Sequence, residues 1–254
     1  MTTTHLIPPT DTHQQAALGA TIRWIDPLGA EHTEPATGLL LDAELYLATQ
    51  IRVGNHYPGQ KNYHGYFYFS QVQHHLWHES LLEATMMLWL DLHESIVAIT
   101  AQPMQIRFAD NSTHYPDLFA LHGNGRQILY DVKPSAYMTD KVVAQFAQTR
   151  ALCEQIGWGY RVLHELPGQV RINVNWLSAF RNPRYDPGRA AAELLIKAAA
   201  AGPLTILAAL RALQMPFSAH ARASIYYLVA TQVLTIDLTR PLSDASTVTL
   251  KDNQ

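Results

Sequence analysis

Alternating apolar and polar positions are clearest in two neighbouring segments near the middle of the chain. Residues 114–121 are rich in apolar side chains and residues 127–133 mix apolar and polar positions, and both patterns are typical of β-strands. The sequence His122-Gly-Asn-Gly125 lies between them, and glycine-containing sequences of this kind form the turns of hairpins. The pattern therefore predicts a β-hairpin.

Charged side chains lie on both strands of this predicted hairpin. Asp131 and Lys133 are two residues apart, so their side chains are expected on one face of the strand, with Val132 turned towards the core. Asp117 lies on the first strand. If Asp117 faces the same way, two carboxylates and one ammonium group converge.

A helix with one buried face is predicted over Glu79–His93, where Leu82, Met86 and Leu90 recur at helical spacing. Glu83 follows Leu82, so its carboxylate is expected at the edge of the apolar stripe, partly shielded from water. The residues alone favour the alternative, a solvated glutamate on a helix surface.

Three carboxylates and one lysine would form an oxygen-rich site suited to Mg²⁺ or Mn²⁺. Such an ion lowers the pKa of a bound water and neutralises charge that develops on a phosphate, while a lysine orients the water. The chemistry indicated is hydrolysis of a phosphodiester.

A glutamate followed by Pro-Asp and then Asp-x-Lys resembles the PD-(D/E)xK nuclease superfamily. The longer stretch from Tyr63 to Pro134 resembles the N-terminal domain of TnsA-type endonucleases of heteromeric transposases. The segments that carry this resemblance are, in order, Trp77-His-Glu-Ser-Leu-Leu-Glu83, Ile96-Val-Ala-Ile-Thr-Ala-Gln102-Pro103, Tyr115-Pro-Asp117 and Tyr130-Asp-Val-Lys-Pro134.

The resemblance implies specific roles for these residues. The family's catalytic residues fall on Glu83, Asp117, Asp131 and Lys133, with Glu79 as the competing assignment for the glutamate. Glu83 and the two aspartates would hold Mg²⁺, or Mn²⁺ as a substitute, together with the backbone carbonyl of Val132.

The resemblance also implies a function and its partners. The protein would bind the DNA ends of a mobile element and cleave the non-transferred strand at their 5′ ends. A DDE transposase subunit of the TnsB type would cut and join the 3′ ends, and an AAA+ ATPase of the TnsC type would regulate both. The alternatives are a stand-alone restriction- or repair-type nuclease of the same superfamily and a non-catalytic DNA-binding assembly subunit.

The expected fold class is α/β. After the hairpin, the pattern predicts a helix over residues 137–156, which Gly157 ends, and a strand over residues 160–164. The resemblance implies a restriction-endonuclease-like mixed sheet flanked by helices. We expect an N-terminal extension (1–50) packed on the nuclease domain, the nuclease domain itself (51–170) and a C-terminal domain (171–254). Residues 1–20 are expected to be irregular, residues 39–51 to form a short helix, and residues 53–63 to form a loop that either approaches DNA or is only a connector.

The C-terminal part contains three predicted helices, over residues 189–201, 203–214 and 218–231. Two predicted strands follow, over residues 233–238 and 247–250. Three helices and a β-hairpin predict a winged-helix-like domain, in which the third helix has few side chains suited to reading bases. The residues predicted to contact DNA are His114, Lys141, Arg222 and Arg240.

Charge and composition bear on the ligands of the protein and on its location in the cell. The chain has 254 residues and a net charge of −3, but residues 1–170 carry a charge of −7 and residues 171–254 a charge of +4. An acidic part that holds metal and a basic part that meets phosphates would explain this division, although an ordinary fluctuation explains it equally well. The lone Cys153 excludes a disulfide framework, and no long run of apolar residues predicts a membrane span. A cytoplasmic location is therefore expected, and the resemblance to TnsA-type endonucleases implies a bacterial one.

Overall fold

The computed structural model describes residues 10–52, 63–213 and 218–251 of the chain. Contacts group the chain into two compact units, one of residues 1–87 and 94–165 and the other of residues 88–93 and 166–254. Both units mix helices with strands, which confirms the α/β class. Most of the predicted loop at residues 53–63 lies outside the described residues.

The first unit holds most of the strands found in the described residues. Its helices are α1 (Asp11–Leu18), the first half of α2 (Leu81–His93) and α3 (Asp140–Ile156). Its strands are β1 (Thr21–Ile25), β2 (Glu31–Pro35), β3 (Gly65–Phe69), β4 (His74–His78), β5 (Ile96–Ala101), β6 (Met104–Arg107), β7 (Thr113–His114), β8 (Leu118–His122), β9 (Gln127–Val132) and β10 (Gly159–Leu163). Short 3₁₀ helices cover Gly38–Asp42, Leu45–Leu47 and Ser135–Tyr137.

These strands form two four-stranded sheets and one two-stranded ribbon. One sheet has the order β2-β1-β6-β7, the other has the order β10-β9-β8-β5, and β3 pairs with β4. In the second sheet β8 pairs antiparallel with both β5 and β9, whereas β10 pairs parallel with β9. The second sheet is therefore mixed, and it contains the predicted hairpin as β8 and β9.

Helix α3 lies between β9 and β10 in the chain, as a crossover between parallel strands requires. Its first turn is capped by Thr139, whose side chain accepts a hydrogen bond from the backbone N–H of Val142. It ends at Gly157, which has a φ of +99° and so takes the left-handed conformation that favours glycine. The predicted end of this helix is confirmed.

Buried apolar side chains join the elements of the first unit around one core. The core includes Ile22 and Trp24 of β1, Phe119 of β8, Leu129 of β9 and Trp158. The Phe119 and Trp158 rings lie 4.6 Å apart between centroids. Residues 11–18 contribute to this core as well, because α1 packs against α3 and buries Ala16 and Ala17. The prediction of irregular structure over residues 1–20 is wrong for that segment.

The second unit consists of helices and a small sheet. Its elements are the second half of α2, α4 (Gly168–Ser178), a 3₁₀ helix (Pro183–Tyr185), α5 (Arg189–Ala200), β11 (Leu204–Thr205), α6 (Ile206–Leu213), α7 (Ser218–Ala230), β12 (Leu234–Ile236) and β13 (Thr247–Leu250). The sheet has the order β11-β13-β12, with antiparallel pairs throughout. None of the helices in the described ranges is long and apolar enough to span a bilayer.

Two of the predicted helices differ from the helices in the structure. The helix predicted from Pro203 begins at Ile206, because Leu204 and Thr205 pair with β13 and the Thr205 hydroxyl accepts a hydrogen bond from the N–H of Ala208. The helix predicted over residues 39–51 is replaced by the 3₁₀ helices Gly38–Asp42 and Leu45–Leu47, separated by Glu44 at a φ of 48°. By their contacts, residues 1–50 belong to the first unit. The predicted division of the chain into three parts stays a prediction.

Candidate active site

The two aspartates of the predicted site lie close together at one end of the β8–β9 hairpin. The last register pair at that end is Leu118 with Tyr130, and Asp117 and Asp131 each lie one residue beyond it. The backbone N–H of Asp117 donates to the carbonyl of Tyr130 at 3.1 Å, so Asp117 is bound to the residue that precedes Asp131. The negative charge of Asp131 raises the pKa of Asp117. The hairpin therefore brings these two carboxylates together.

Asp117 is held by the backbone of the neighbouring strand. Its Oδ2 accepts a hydrogen bond from the N–H of Val132 at 2.6 Å, while no described residue donates to its Oδ1. Burial raises the pKa of Asp117 well above its ordinary value, and the negative charges of Asp131 and Glu83 raise it further. Asp117 is thus surrounded mainly by negatively charged side chains.

Asp131 is almost completely buried, with 2% of its surface exposed. Its Oδ2 lies 2.9 Å from Nε2 of His114 and accepts a hydrogen bond from the hydroxyl of Tyr160 at 2.5 Å. Its Oδ1 accepts no hydrogen bond from a described residue. Burial raises the pKa of Tyr160 well above its ordinary value, and the charge of Asp131 adds to this, so the phenol stays protonated as a donor.

Glu83 lies in the first turn of α2 and closes a local hydrogen-bond network. Its Oε1 accepts from the Ser80 hydroxyl at 2.8 Å, its Oε2 accepts from the Glu79 N–H at 2.7 Å, and its own N–H donates to Ser80 Oγ at 3.1 Å. A serine followed three residues later by a glutamate is the pattern of a helix-capping box. Burial raises the pKa of Glu83. Glu83 is therefore oriented by the start of its helix.

Glu79 precedes α2 and also acts electrostatically on the aspartates. Its charge raises the pKa of Asp117, as that of Glu83 does. Its Oε1 is buried and has no hydrogen-bond partner among the described residues. Both glutamates are thus near enough to Asp117 to affect its titration, and the assignment of the catalytic glutamate to Glu83 stays a prediction.

Lys133 follows β9 directly and is partly exposed. Its backbone is fixed on both sides, since its N–H donates to the carbonyl of Leu163 at 2.9 Å and its carbonyl lies 2.7 Å from Nδ1 of His164. Its ammonium group forms no ion pair with a described residue. The predicted catalytic role of Lys133 is therefore compatible with an anchored backbone and an unengaged head group.

The donor set fits a hard divalent cation that takes few protein ligands. In the described ranges, no group of three or more histidine, cysteine, aspartate or glutamate side chains is arranged to hold a metal ion. Mg²⁺ usually takes one or two carboxylates and fills its other positions with water and substrate phosphate oxygens. Oδ1 of Asp117 and Oδ1 of Asp131 match that requirement, and the buried, unpartnered Oε1 of Glu79 adds an oxygen that a cation would stabilise.

Three residues near this site were not assigned these positions from the sequence. His114 was predicted to contact phosphate, and that contact stays a prediction, but the structure buries its ring and directs it to Asp131. Tyr160 belongs to none of the sequence motifs that predicted the site. The guanidinium carbon of Arg52 lies 5.6 Å from the ring centroid of Tyr115, and its positive charge acts on Glu83 by lowering its pKa.

The other residues predicted to contact DNA have different surroundings. Lys141 is exposed in the first turn of α3. Arg222 forms an ion pair with Asp244, whereas Arg240 is 86% exposed with Asp237 at 3.9 Å. Their contacts with DNA stay predictions.

A hairpin that carries Pro-Asp on one strand and Asp-x-Lys on the next, beside a helix that carries a glutamate, is consistent with a PD-(D/E)xK-type nuclease domain. Residues 93–165 match the family model described as TnsA-like endonuclease N terminal. This match confirms the resemblance to TnsA-type endonucleases that the motifs predicted. The match includes Asp117, Asp131 and Lys133, and it implies DNA endonuclease activity. No curated protein matches the chain.

Proposed function

We propose that this protein is a metal-dependent DNA endonuclease subunit of a heteromeric transposase, which cleaves the non-transferred strand at the 5′ ends of a mobile element. One observation carries the proposal. Asp117 and Asp131 lie close together at the end of a hairpin, with Lys133 two residues beyond Asp131, inside the segment that matches the TnsA-like family.

The residues of the site have complementary roles in this proposal. Oδ1 of Asp117 and Oδ1 of Asp131 would hold Mg²⁺ or Mn²⁺, with the carbonyl of Val132 and the carboxylate of Glu83 as further ligands. A bound Mg²⁺ supplies neutralisation of the phosphate charge and a lower pKa for a coordinated water. The ammonium of Lys133 orients the attacking water and stabilises the negative charge that develops on the phosphate oxygens.

The proposed partners follow from the TnsA-like family. They are the DNA ends of the element, a DDE transposase subunit of the TnsB type that cuts and joins the 3′ ends, and an AAA+ ATPase of the TnsC type that regulates cleavage. Such a protein would act in the bacterial cytoplasm, where its DNA substrate is. We expect it to be silent without these partners, because a free nuclease with little sequence specificity would damage the host genome.

For the second unit we propose a winged-helix-like arrangement. The order of helix α5, strand β11, helices α6 and α7, and the paired strands β12 and β13 supports it. Arg240 lies in the connection between β12 and β13 and is the better placed of the two predicted arginines for a phosphate, because Arg222 is engaged by Asp244. This unit would bind DNA or dock the ATPase.

The decisive experiment is strand cleavage on DNA that carries an element end, with the partner subunits present and with Mg²⁺ or Mn²⁺. We expect Asp117→Ala and Lys133→Ala to abolish 5′-end cleavage while thermal unfolding stays cooperative. Asp42→Ala and Lys197→Ala are matched controls, since both remove exposed charged side chains that are not among the residues of the site and should cleave as the wild type does. Full cleavage by Asp117→Ala or Lys133→Ala would refute the assignment of the site.

The same assay separates the alternatives. A stand-alone restriction- or repair-type nuclease would cut DNA equally well without partners. A non-catalytic assembly subunit would support 3′-end cleavage by its partner but give no 5′-end product with either metal. The genes beside this one provide an independent test, because a transposase gene and an ATPase gene should be adjacent.

A further inference from the structure

Two side chains from outside the hairpin meet at one oxygen of Asp131. His114 lies on β7, at the edge of the sheet β2-β1-β6-β7, and Tyr160 lies on β10, which pairs parallel with β9. Both contact Oδ2, with distances of 2.9 Å from His114 Nε2 and 2.5 Å from the Tyr160 hydroxyl. Two donors that arrive from different sheets restrict the rotation of a carboxylate far more than one donor would.

The two donors are themselves held by a common neighbour. The ring of Phe146, on α3, lies edge-on to both of them, with centroids 6.2 Å from His114 and 6.3 Å from Tyr160. Phe146 and Val162 are buried and form a small apolar cluster against which Tyr160 packs. The donors therefore belong to a packed layer beneath the site and have little freedom to reorient.

We propose that His114 and Tyr160 are positioning residues that hold Oδ2 of Asp131, so that Oδ1 is presented on the side of the hairpin where Asp117 lies. This inference rests on the proposed function, in which Asp131 is a metal ligand. Hydrogen-bond partners of metal ligands fix the orientation of the ligand, and their loss typically weakens metal affinity or activity about 10- to 100-fold. His114 would then act on the metal through Asp131 and make no contact with DNA.

The test measures Mn²⁺ binding to the full chain by isothermal titration, in the absence of DNA. We expect Tyr160→Phe to raise the Mn²⁺ dissociation constant about 10-fold, since the ring stays and only the donor is lost. His114→Leu should have a similar effect, and His114→Gln, whose amide nitrogen restores a donor, should recover part of the affinity.

Tyr130→Phe is the matched control. Tyr130 is a fully buried tyrosine on β9, and its hydroxyl lies 2.7 Å from Nε2 of His122. This variant therefore also loses a hydrogen bond of a buried tyrosine, but one that does not involve the aspartates. Its Mn²⁺ affinity should equal that of the wild type. Equal losses in Tyr130→Phe and Tyr160→Phe would indicate a general structural effect and overturn the inference, as would unchanged affinity in both Tyr160→Phe and His114→Leu.

The cleavage reaction gives a second readout that structural damage would not produce. In Tyr160→Phe the Mn²⁺ concentration for half-maximal cleavage should rise about 10-fold, while saturating Mn²⁺ should restore the rate. Failure of the proposed function would be recognised differently, because Mn²⁺ would then not bind to the wild type, or would bind equally to Asp117→Ala. That result would overturn both proposals, whereas normal Mn²⁺ binding that is lost in Asp117→Ala but kept in Tyr160→Phe would overturn this one alone.

Discussion

Replacement of Asp117 by asparagine should stabilise the metal-free protein. Asp117 lies near Asp131 at the end of the hairpin, and the charges of Asp131 and Glu83, added to burial, raise the pKa of Asp117 well above its ordinary value. Asparagine has the same shape and keeps an oxygen that can accept the hydrogen bond from the N–H of Val132, but it carries no charge. The substitution therefore removes a repulsion while it preserves the contact of Asp117 with β9.

The size of the effect can be estimated from the repulsion between two neighbouring carboxylates. Two unit charges about 5 Å apart repel each other by about 3 kcal/mol at an effective dielectric constant near 20. The weaker hydrogen bond of a neutral acceptor to the Val132 N–H costs about 1 kcal/mol. The net gain of about 2 kcal/mol corresponds to a rise in Tm on the order of 5 °C for a domain of this size.

The gain in stability of Asp117→Asn over the wild type should increase as the pH rises. Because the pKa of Asp117 is raised in the folded state, the folded protein keeps this proton at pH values where the unfolded chain has lost it. The stability of the wild type must therefore fall as the pH rises through that interval. Below a pH of about 4, where Asp117 is protonated in both states, the variant and the wild type should differ little.

Thermal unfolding followed by circular dichroism, in EDTA and low salt from pH 4 to pH 8, measures this difference. Asp42→Asn removes one exposed negative charge from the same unit and should leave Tm nearly unchanged at every pH. Mn²⁺ at about 100 times its dissociation constant should stabilise the wild type by about 2.7 kcal/mol and leave Asp117→Asn unaffected. An asparagine variant that is no more stable than the wild type at pH 8 would refute the charge argument.

Four further substitutions test other parts of the structure. Asp91→Ala and Arg181→Ala should each lower the free energy of unfolding by about 3–5 kcal/mol in urea titrations, because they break an ion pair whose side chains are 0% and 13% exposed, and the double variant should lose less than the sum. Gly157→Ala should lower the free energy of unfolding by about 1–2 kcal/mol, since the φ of +99° is strained for alanine and the new Cβ would lie 3.3 Å from Leu41 Cδ1. Arg52→Ala should reduce the slope of log K against log salt for DNA binding by about 1, because its exposed guanidinium near Glu83 is placed to meet a phosphate.

Local sequence signals account for the part of the fold that carries the aspartates. The turn between β8 and β9 and the glycine at the end of α3 impose their backbone conformations directly, so hairpin and helix end could be predicted. Helix α1 could not be predicted in this way. It buries only Ala16 and Ala17, and two adjacent alanines do not form a pattern of large apolar side chains at helical spacing. Pro203 was misleading because proline is equally compatible with the extended backbone before β11.

The contacts around Asp131 show where sequence reasoning ends. His114 lies three residues before Asp117, yet β7 and β8 belong to different sheets, and nothing local determines that its ring reaches back to Asp131. Tyr160 comes from a strand beyond the crossover helix α3. Its hydroxyl meets Asp131 because β10 pairs parallel with β9. Val162 is the register partner of Asp131, and Tyr160 lies two residues before Val162, on the same face of the sheet. These are consequences of tertiary pairing, which motifs do not encode.

The core fixes the geometry of the carboxylates through the register of this hairpin. Phe119 and Leu129 form a cross-strand pair that is fully buried in the core of the first unit, two positions along each strand from the aspartates. A shift of the pairing by one residue would move these apolar side chains out of the core and, at the same time, move Asp131 away from Asp117. The repulsion between the carboxylates is therefore opposed by hydrophobic packing that would be lost with the register, so the acidic pair can persist until a cation binds.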